Sequence, residues 1–173
     1  MKRRIQRTLP LMFAALVAGC GLTQSVTDGT KDVAKAVFYK KVKTVHLEFR
    51  ARAELNPDED GMSLATRVQV FTLKDRQGFD KADYNTLISD AEHALSADLV
   101  AEREVQIRPQ QTVPFTMPLD EQAQFVAIVV QYRTPDIRKN DWRLVLSREE
   151  LDPDKARVVE MAKYALQLKQ ASN

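Results

Sequence analysis

The chain has 173 residues, 44% hydrophobic and 29% charged, with 26 Lys and Arg against 24 Asp and Glu and a single cysteine. That length suits one domain of ordinary size. The 5 Gly and 7 Pro residues exclude a collagen-like chain, the apolar fraction can support a core, and one cysteine excludes both an internal disulfide framework and a multi-cysteine metal or redox centre.

The first residues follow a pattern of their own. Lys2, Arg3, Arg4 and Arg7 make a basic start, an apolar run follows from Leu9 to Val17, and Ala18-Gly19-Cys20 closes it. These are the parts of a secretory signal peptide. The run is too short for a bilayer core that needs about 20 apolar residues. Val17-Ala18-Gly19-Cys20 matches the lipobox: an aliphatic residue, a small one, Gly or Ala, then Cys. The match predicts loss of residues 1–19, a diacylglycerol on the Cys20 thiol and an acyl chain on the freed amine. Each buried acyl CH₂ contributes about 0.8 kcal/mol, and more than one chain makes anchoring durable. Gly21 stands where many inner-membrane lipoproteins of enterobacteria carry Asp, so outer-membrane sorting is expected, with the protein facing the periplasm. Cleavage removes four cations and no acid, leaving 22 basic against 24 acidic residues. No general attraction to nucleic acid follows from that balance.

Residues 20–41 are polar around a possible short helix from Thr30 to Tyr39, and read as a lipidated tether. Twenty extended residues span at most roughly 70 Å. The domain then occupies 42–173. Val45, Leu47, Phe49, Ala51, Ala53 and Leu55 alternate with His46, Glu48, Arg50, Arg52 and Glu54, which predicts a strand with one buried face. Asn56-Pro57 and Asp60-Gly61 mark a long turn-rich connection before a second strand from Ala65 to Leu73. A helical pattern, as one broken helix or two short ones, is expected near 79–99 from Phe79, Ala82, Leu87, Ala91, Ala94 and Leu95. Strands are expected again at Glu104 to Arg108, at Thr112 to Met117 on a sheet edge because of Pro114, and at Phe125 to Tyr132, apolar enough for burial on both faces. Trp142 to Ser147 and Tyr164 to Lys169 complete the set; the last could also be helical, since Val158, Met161, Ala165 and Leu168 sit at helix-like spacing. Six to eight strands with one short helical insertion indicate a mainly β, two-layer sandwich with Greek-key-like connections.

Chemistry-bearing patterns are sparse. His46 and His93 read as solvated residues outside any metal-ligand spacing. The glycines at 19, 21, 29, 61 and 78 form neither a phosphate loop nor a nucleophile elbow. Asp58, Glu59 and Asp60 lack the spacing of an EF-hand and read as a solvated or protein-recognition loop. Asp152 and Asp154 around Pro153 read as a turn or helix start, and Arg133, Arg138, Lys139 and Arg143 near Trp142 as a solvated loop at a strand end. No catalytic residue, metal or cofactor other than the covalent lipid is expected.

Several segments in order carry a family resemblance: Leu55-Asn56-Pro57-Asp58 with Gly61; Arg67-Val-Gln-Val-Phe-Thr-Leu73; Phe79, Ala82-Asp83-Tyr84 and Leu87; Arg103-Glu104 with Arg108-Pro109; and Val126 to Arg133 ahead of Trp142-Arg143. With the lipobox, the sequence resembles the TssJ family, outer-membrane lipoproteins of the bacterial type VI secretion system. Gln110 stands where the family usually has Gly after Pro, and Ala65 where a Pro commonly opens the second strand; both departures concern turn geometry. The resemblance implies a transthyretin-like sandwich without enzymatic activity. It also implies a partner, the periplasmic C-terminal domain of the inner-membrane protein TssM, bound by the loop between the first two strands. Here that loop is Asn56, Pro57, Asp58, Glu59, Asp60, Gly61, Met62, Ser63 and Leu64. The competing expectation is a periplasmic lipoprotein that binds a small ligand or another envelope protein, which would need an apolar pocket between the sheets.

Overall fold

The structure is a computed structural model that describes residues 42–170. The signal segment 1–19, Cys20 and the tether 20–41 with its expected helix from Thr30 to Tyr39 lie outside the described residues.

Eight strands form two four-stranded sheets. They are β1 (Thr44–Leu55), β2 (Thr66–Leu73), β3 (Leu99–Ile107), β4 (Thr112–Pro118), β5 (Phe125–Val130), β6 (Arg143–Ser147), β7 (Arg157–Lys163) and β8 (Ala165–Leu168). Sheet 1 has the order β4-β1-β7-β8 and sheet 2 the order β3-β2-β5-β6. All pairs are antiparallel except β1 with β7, in which Phe49 lies opposite Val159 and Ala51 opposite Met161.

The alternation in β1 does what period-two patterning demands. Val45, Leu47 and Phe49 are buried, and the register puts Met117, Phe115 and Val113 of β4 beside them on the inner face. The outer face carries charge. Arg50 pairs with Glu48, and Glu160 is held between Arg52 and Lys169, whose bonding keeps its carboxyl below the usual range, Arg52 being the larger cause. Pro114 lies opposite Glu48 on β4, and β4 is indeed the sheet edge, where a missing N–H costs no ladder bond.

Strand β5 is central and buried on both faces, as its unbroken apolar run requires. One face meets sheet 1. The other is covered by a helical insertion of three short helices, α1 (Gln77–Lys81), α2 (Tyr84–Ser89) and α3 (Ala91–Ala94). Asp83 caps α2 by accepting from the Thr86 N–H at 2.9 Å, which also holds its carboxyl below the usual range. Arg143 fastens the insertion to the sheet. Its guanidinium donates to the carbonyls of Phe79 and Ala82, both at 2.9 Å, and to that of Asp80 at 3.2 Å, and it lies over the rings of Trp142 and Phe79. Arg143 is therefore a structural clamp and does not belong to a solvated loop.

The structure departs from or adds to the sequence reading at three places. The helical pattern ends at Ala94, and Leu99, assigned to it, opens β3, five residues earlier than the strand expected from Glu104. The strand expected at Tyr164 to Lys169 is present as β8, not as a helix, and it pairs with β7, a strand not expected, through a turn at Lys163 with φ 23°. Arg148, at 2% exposure, is the core's unexpected charge. Its guanidinium donates to the carbonyls of Asp120 (2.8 Å), Ala123 (2.7 Å) and Val42 (2.8 Å), tying the start of the domain to the loop before β5.

Strand directions give the sandwich two unlike poles. Chain entering at Val42, the ends of β2, β4, β6 and β8 and the starts of β3, β5 and β7 share one pole. The loops after β1, β3, β5 and β7 gather at the opposite, distal pole.

Candidate functional site, the distal pole

Every residue with positive φ among the described residues belongs to a distal-pole turn: Asn56 (45°), Gly61 (81°), Gln110 (61°), Asn140 (55°) and Lys163 (23°). A side chain in this region is costly, so such backbone persists only where its surroundings enforce it. Gln110 stands where the resemblance implies Gly, and its φ of 61° is a conformation Gly adopts without strain.

The loop 56–64 has a rigid base and a presented tip. Leu64 N–H donates to the Leu55 carbonyl at 3.0 Å, closing the loop. Asn56 is only 4% exposed; its N–H donates to the Lys163 carbonyl (2.7 Å) and its Oδ1 accepts from the Arg133 N–H (2.8 Å). Pro57 is buried, and its carbonyl accepts from the Tyr164 hydroxyl at 3.0 Å. Asp58 organises the turn, its Oδ1 accepting from the N–H groups of Met62 (2.8 Å) and Asp60 (3.1 Å). The exposed residues are Glu59, Asp60, Gly61 and Met62, with Ser63 and Leu64 half-buried. Of the nine residues expected to form the site, Asn56, Pro57 and Asp58 thus build it and Glu59 to Met62 face outward.

Beneath lies an aromatic floor. Tyr132 and Tyr164 meet edge to face at 6.3 Å, as do Tyr84 and Trp142 at 4.9 Å. The Tyr132 hydroxyl donates to the Ala165 carbonyl at 3.0 Å and the Tyr84 hydroxyl to the Tyr132 carbonyl. Burial pushes the Tyr132 phenol up, with Asp141's charge adding to it. It serves as a fixed neutral donor.

The loop 131–142, between β5 and β6, flanks the first. Asp136 accepts from the N–H groups of Lys139 (3.2 Å) and Arg138 (3.1 Å), which lowers its carboxyl, Lys139 contributing most. Arg133, Arg138 and Lys139 are exposed here, as expected, beside Ile137 at 52% exposure. Ile137 was passed over in the sequence; the available signal was one large apolar residue inside the charged run Asp136 to Lys139. A hollow of about 360 Å³ separates the loops, lined by Pro57, Asp58, Glu59, Arg133, Thr134 and Tyr164.

Other regions offer less. The space between the sheets is filled by side chains such as Leu47, Phe49, Val70 and Ile128 with exposure at or near zero. A larger hollow of about 650 Å³ lies away from the distal loops. Three of its four cations are answered locally, Arg50 by Glu48, Lys169 by Glu160 and Arg157 by the Glu150 carbonyl. Among the described residues, no group of three or more His, Cys, Asp or Glu side chains could hold a metal ion. His93 is exposed and His46 half-buried on the outer face of β1.

A family model described as Type VI secretion lipoprotein, VasD, EvfM, TssJ matches residues 43–170. The chain belongs to this family. As a lipoprotein of type VI secretion it is a membrane-attached structural component of that system. Solved structures agree. A chain from a structure described as "T6SS protein TssM C-terminal domain (869-1107) from EAEC" is 37% identical with TM-score 0.70, over 75% of this chain and 100% of that one. A chain from a "Type VI membrane complex" is 38% identical with TM-score 0.72, over 75% and 99%. The T6SS lipoprotein TssJ1 from Pseudomonas aeruginosa is 27% identical with TM-score 0.62, over 76% and 99%. No curated protein matches the sequence.

Proposed function

We propose that the lipoprotein is anchored in the outer membrane through acyl chains on Cys20, faces the periplasm, and holds the C-terminal periplasmic domain of TssM with the loop Asn56 to Leu64. It ties the envelope-spanning complex to the outer membrane and catalyses nothing. The observation that carries the reading is the opposition of the poles. The tether joins the domain at Val42, and the turn-rich loop with its outward Glu59, Asp60 and Met62 stands at the far end. A partner can therefore dock without competing with the membrane. The similar chain in the structure described for the TssM domain supports the choice of partner. About 130 residues, 75% of 173, cover it completely, far fewer than the range 869–1107, which fits a member of this family held together with that domain.

The test has two arms. Deleting Asp58 to Met62 is expected to leave a folded, lipidated protein that no longer captures the TssM periplasmic domain in calorimetry; undiminished affinity would remove the loop from the reading. Cys20→Ser is expected to release the protein from the outer membrane, and its persistence in washed outer-membrane vesicles would refute the anchor.

A further inference from the structure

Among the described residues, the large apolar side chains left in solvent are Met62, 65% exposed, and Ile137, 52% exposed. One such residue needs no explanation. Here two separate loops bring both to the same pole. The loops are tied to each other by the bond from Arg133 N–H to Asn56 Oδ1 at 2.8 Å. Arg133 and Thr134 form a ridge with a hollow on either side. The one beside Pro57, Asp58 and Glu59 holds about 360 Å³. The other, beside Tyr84, Pro135 and Ile137, holds about 410 Å³. Charge is uneven across the ridge: Asp58, Glu59 and Asp60 stand on one flank, Arg138 and Lys139 with Asp83 and Asp136 on the other, and Arg133 on the ridge itself. Arg133 and Arg138 have no ion-pair partner among the described residues, and Lys139 has only an exposed pairing with Asp136 at 3.6 Å, a kind of bridge that contributes little.

We infer that the partner-binding surface spans both loops, with Ile137 as a second apolar anchor across the ridge from Met62. This rests on the reading in which the distal pole takes the TssM domain, and it names the chemistry that domain must bring. An element straddling the ridge presents apolar side chains toward Met62 and Ile137, a cation toward Glu59 and Asp60, and an acid toward Arg138 and Lys139. The uneven charge permits one of the two directions across the ridge and penalises the other, which is how complementary potentials give register and faster encounter. A partner touching loop 56–64 alone would leave Ile137 in water and three cations unused.

Calorimetry and stopped-flow association of the TssM periplasmic domain with the full-length protein in detergent test this. Ile137→Ser, which touches no core position, is expected to weaken binding by about tenfold, as loss of one apolar anchor does. Arg138→Glu with Lys139→Glu is expected to slow association and change its salt dependence, while Lys155→Glu, away from the distal pole, leaves both unchanged. Backbone amides of 134–139 are expected to gain exchange protection in the complex. If the wild type binds, the loop deletion abolishes binding and Ile137→Ser stays within twofold, the second loop is no part of the surface and the inference is wrong. If the wild type does not bind, the reading beneath it has failed instead. Wild-type dimers in sedimentation that Ile137→Ser dissolves, with TssM binding unaffected, would make this a self-contact and likewise overturn it.

Discussion

Asn56 performs two tasks that can be separated. Its backbone adopts φ 45°, and its carboxamide holds the Arg133 N–H. Glycine at this position keeps the backbone and loses the bond; alanine loses both. Unfolding in urea is therefore expected to rank wild type above Asn56→Gly above Asn56→Ala, the first step costing about 1–2 kcal/mol for the orphaned donor and the second about 1 kcal/mol more for the strain. Equal midpoints for the two variants would mean that the backbone conformation contributes nothing. Arg148 teaches a related lesson. Arg148 stands beside two glutamates in sequence, and its planar fork of donors suits the convergent carbonyls of Val42, Asp120 and Ala123. Nothing local in Ser147 to Glu150 announces those carbonyls, because they come from residues 25 to 106 positions away.

At the scale of elements, legibility followed the strength of local pattern. Strand β1 was readable because apolar and polar residues alternate through its buried half, and β5 because six apolar residues admit no solvent face. Of the β7–β8 hairpin, β8 was legible as a strand but β7 and the turn were not, since the turn at Lys163 and Tyr164 contains no Gly, Pro, Asn or Asp; its conformation is enforced from outside by Asn56 and Pro57. Strand β3 escaped in part because it is an exposed edge whose Glu102, Arg103 and Glu104 carry no period-two signal. The site shows the same division. Loop 56–64 carries turn dipeptides and was legible as a loop, whereas loop 131–142 becomes its neighbour only when β1, β2, β5 and β6 are assembled. The helical insertion is expected to depend on a single side chain. Arg143→Ala removes three bonds to helix carbonyls and two ring contacts, so amides of residues 77–82 should exchange faster, with a loss of about 2 kcal/mol in stability. Unchanged exchange there, with the strands equally protected, would show that Phe79 and Leu87 hold the insertion without it.

For the whole molecule, the spacing between membrane and partner is a separate variable from affinity. Removing ten residues between Leu22 and Val37 shortens the maximum reach by roughly 35 Å. The variant is expected to bind the TssM domain in solution as tightly as the wild type and to fail in assembling the envelope complex in cells. Normal assembly would show that reach is not limiting.

Strand β1 runs the full distance between the poles, with β4 hydrogen-bonded along one side and β7 along the other. Its first residues follow the segment before Val42, and its last adjoins loop 56–64, the loop proposed to hold the partner. A pull exerted between membrane and partner therefore runs along the axis of one strand. Such a pull passes through the covalent backbone of β1 itself, and the ladder hydrogen bonds, which lie across that axis, need not break to carry it. β4 and β7, on either side of β1, then keep that strand extended, so the distance between the tether side and the loop 56–64 side of the domain is fixed by the length of one strand.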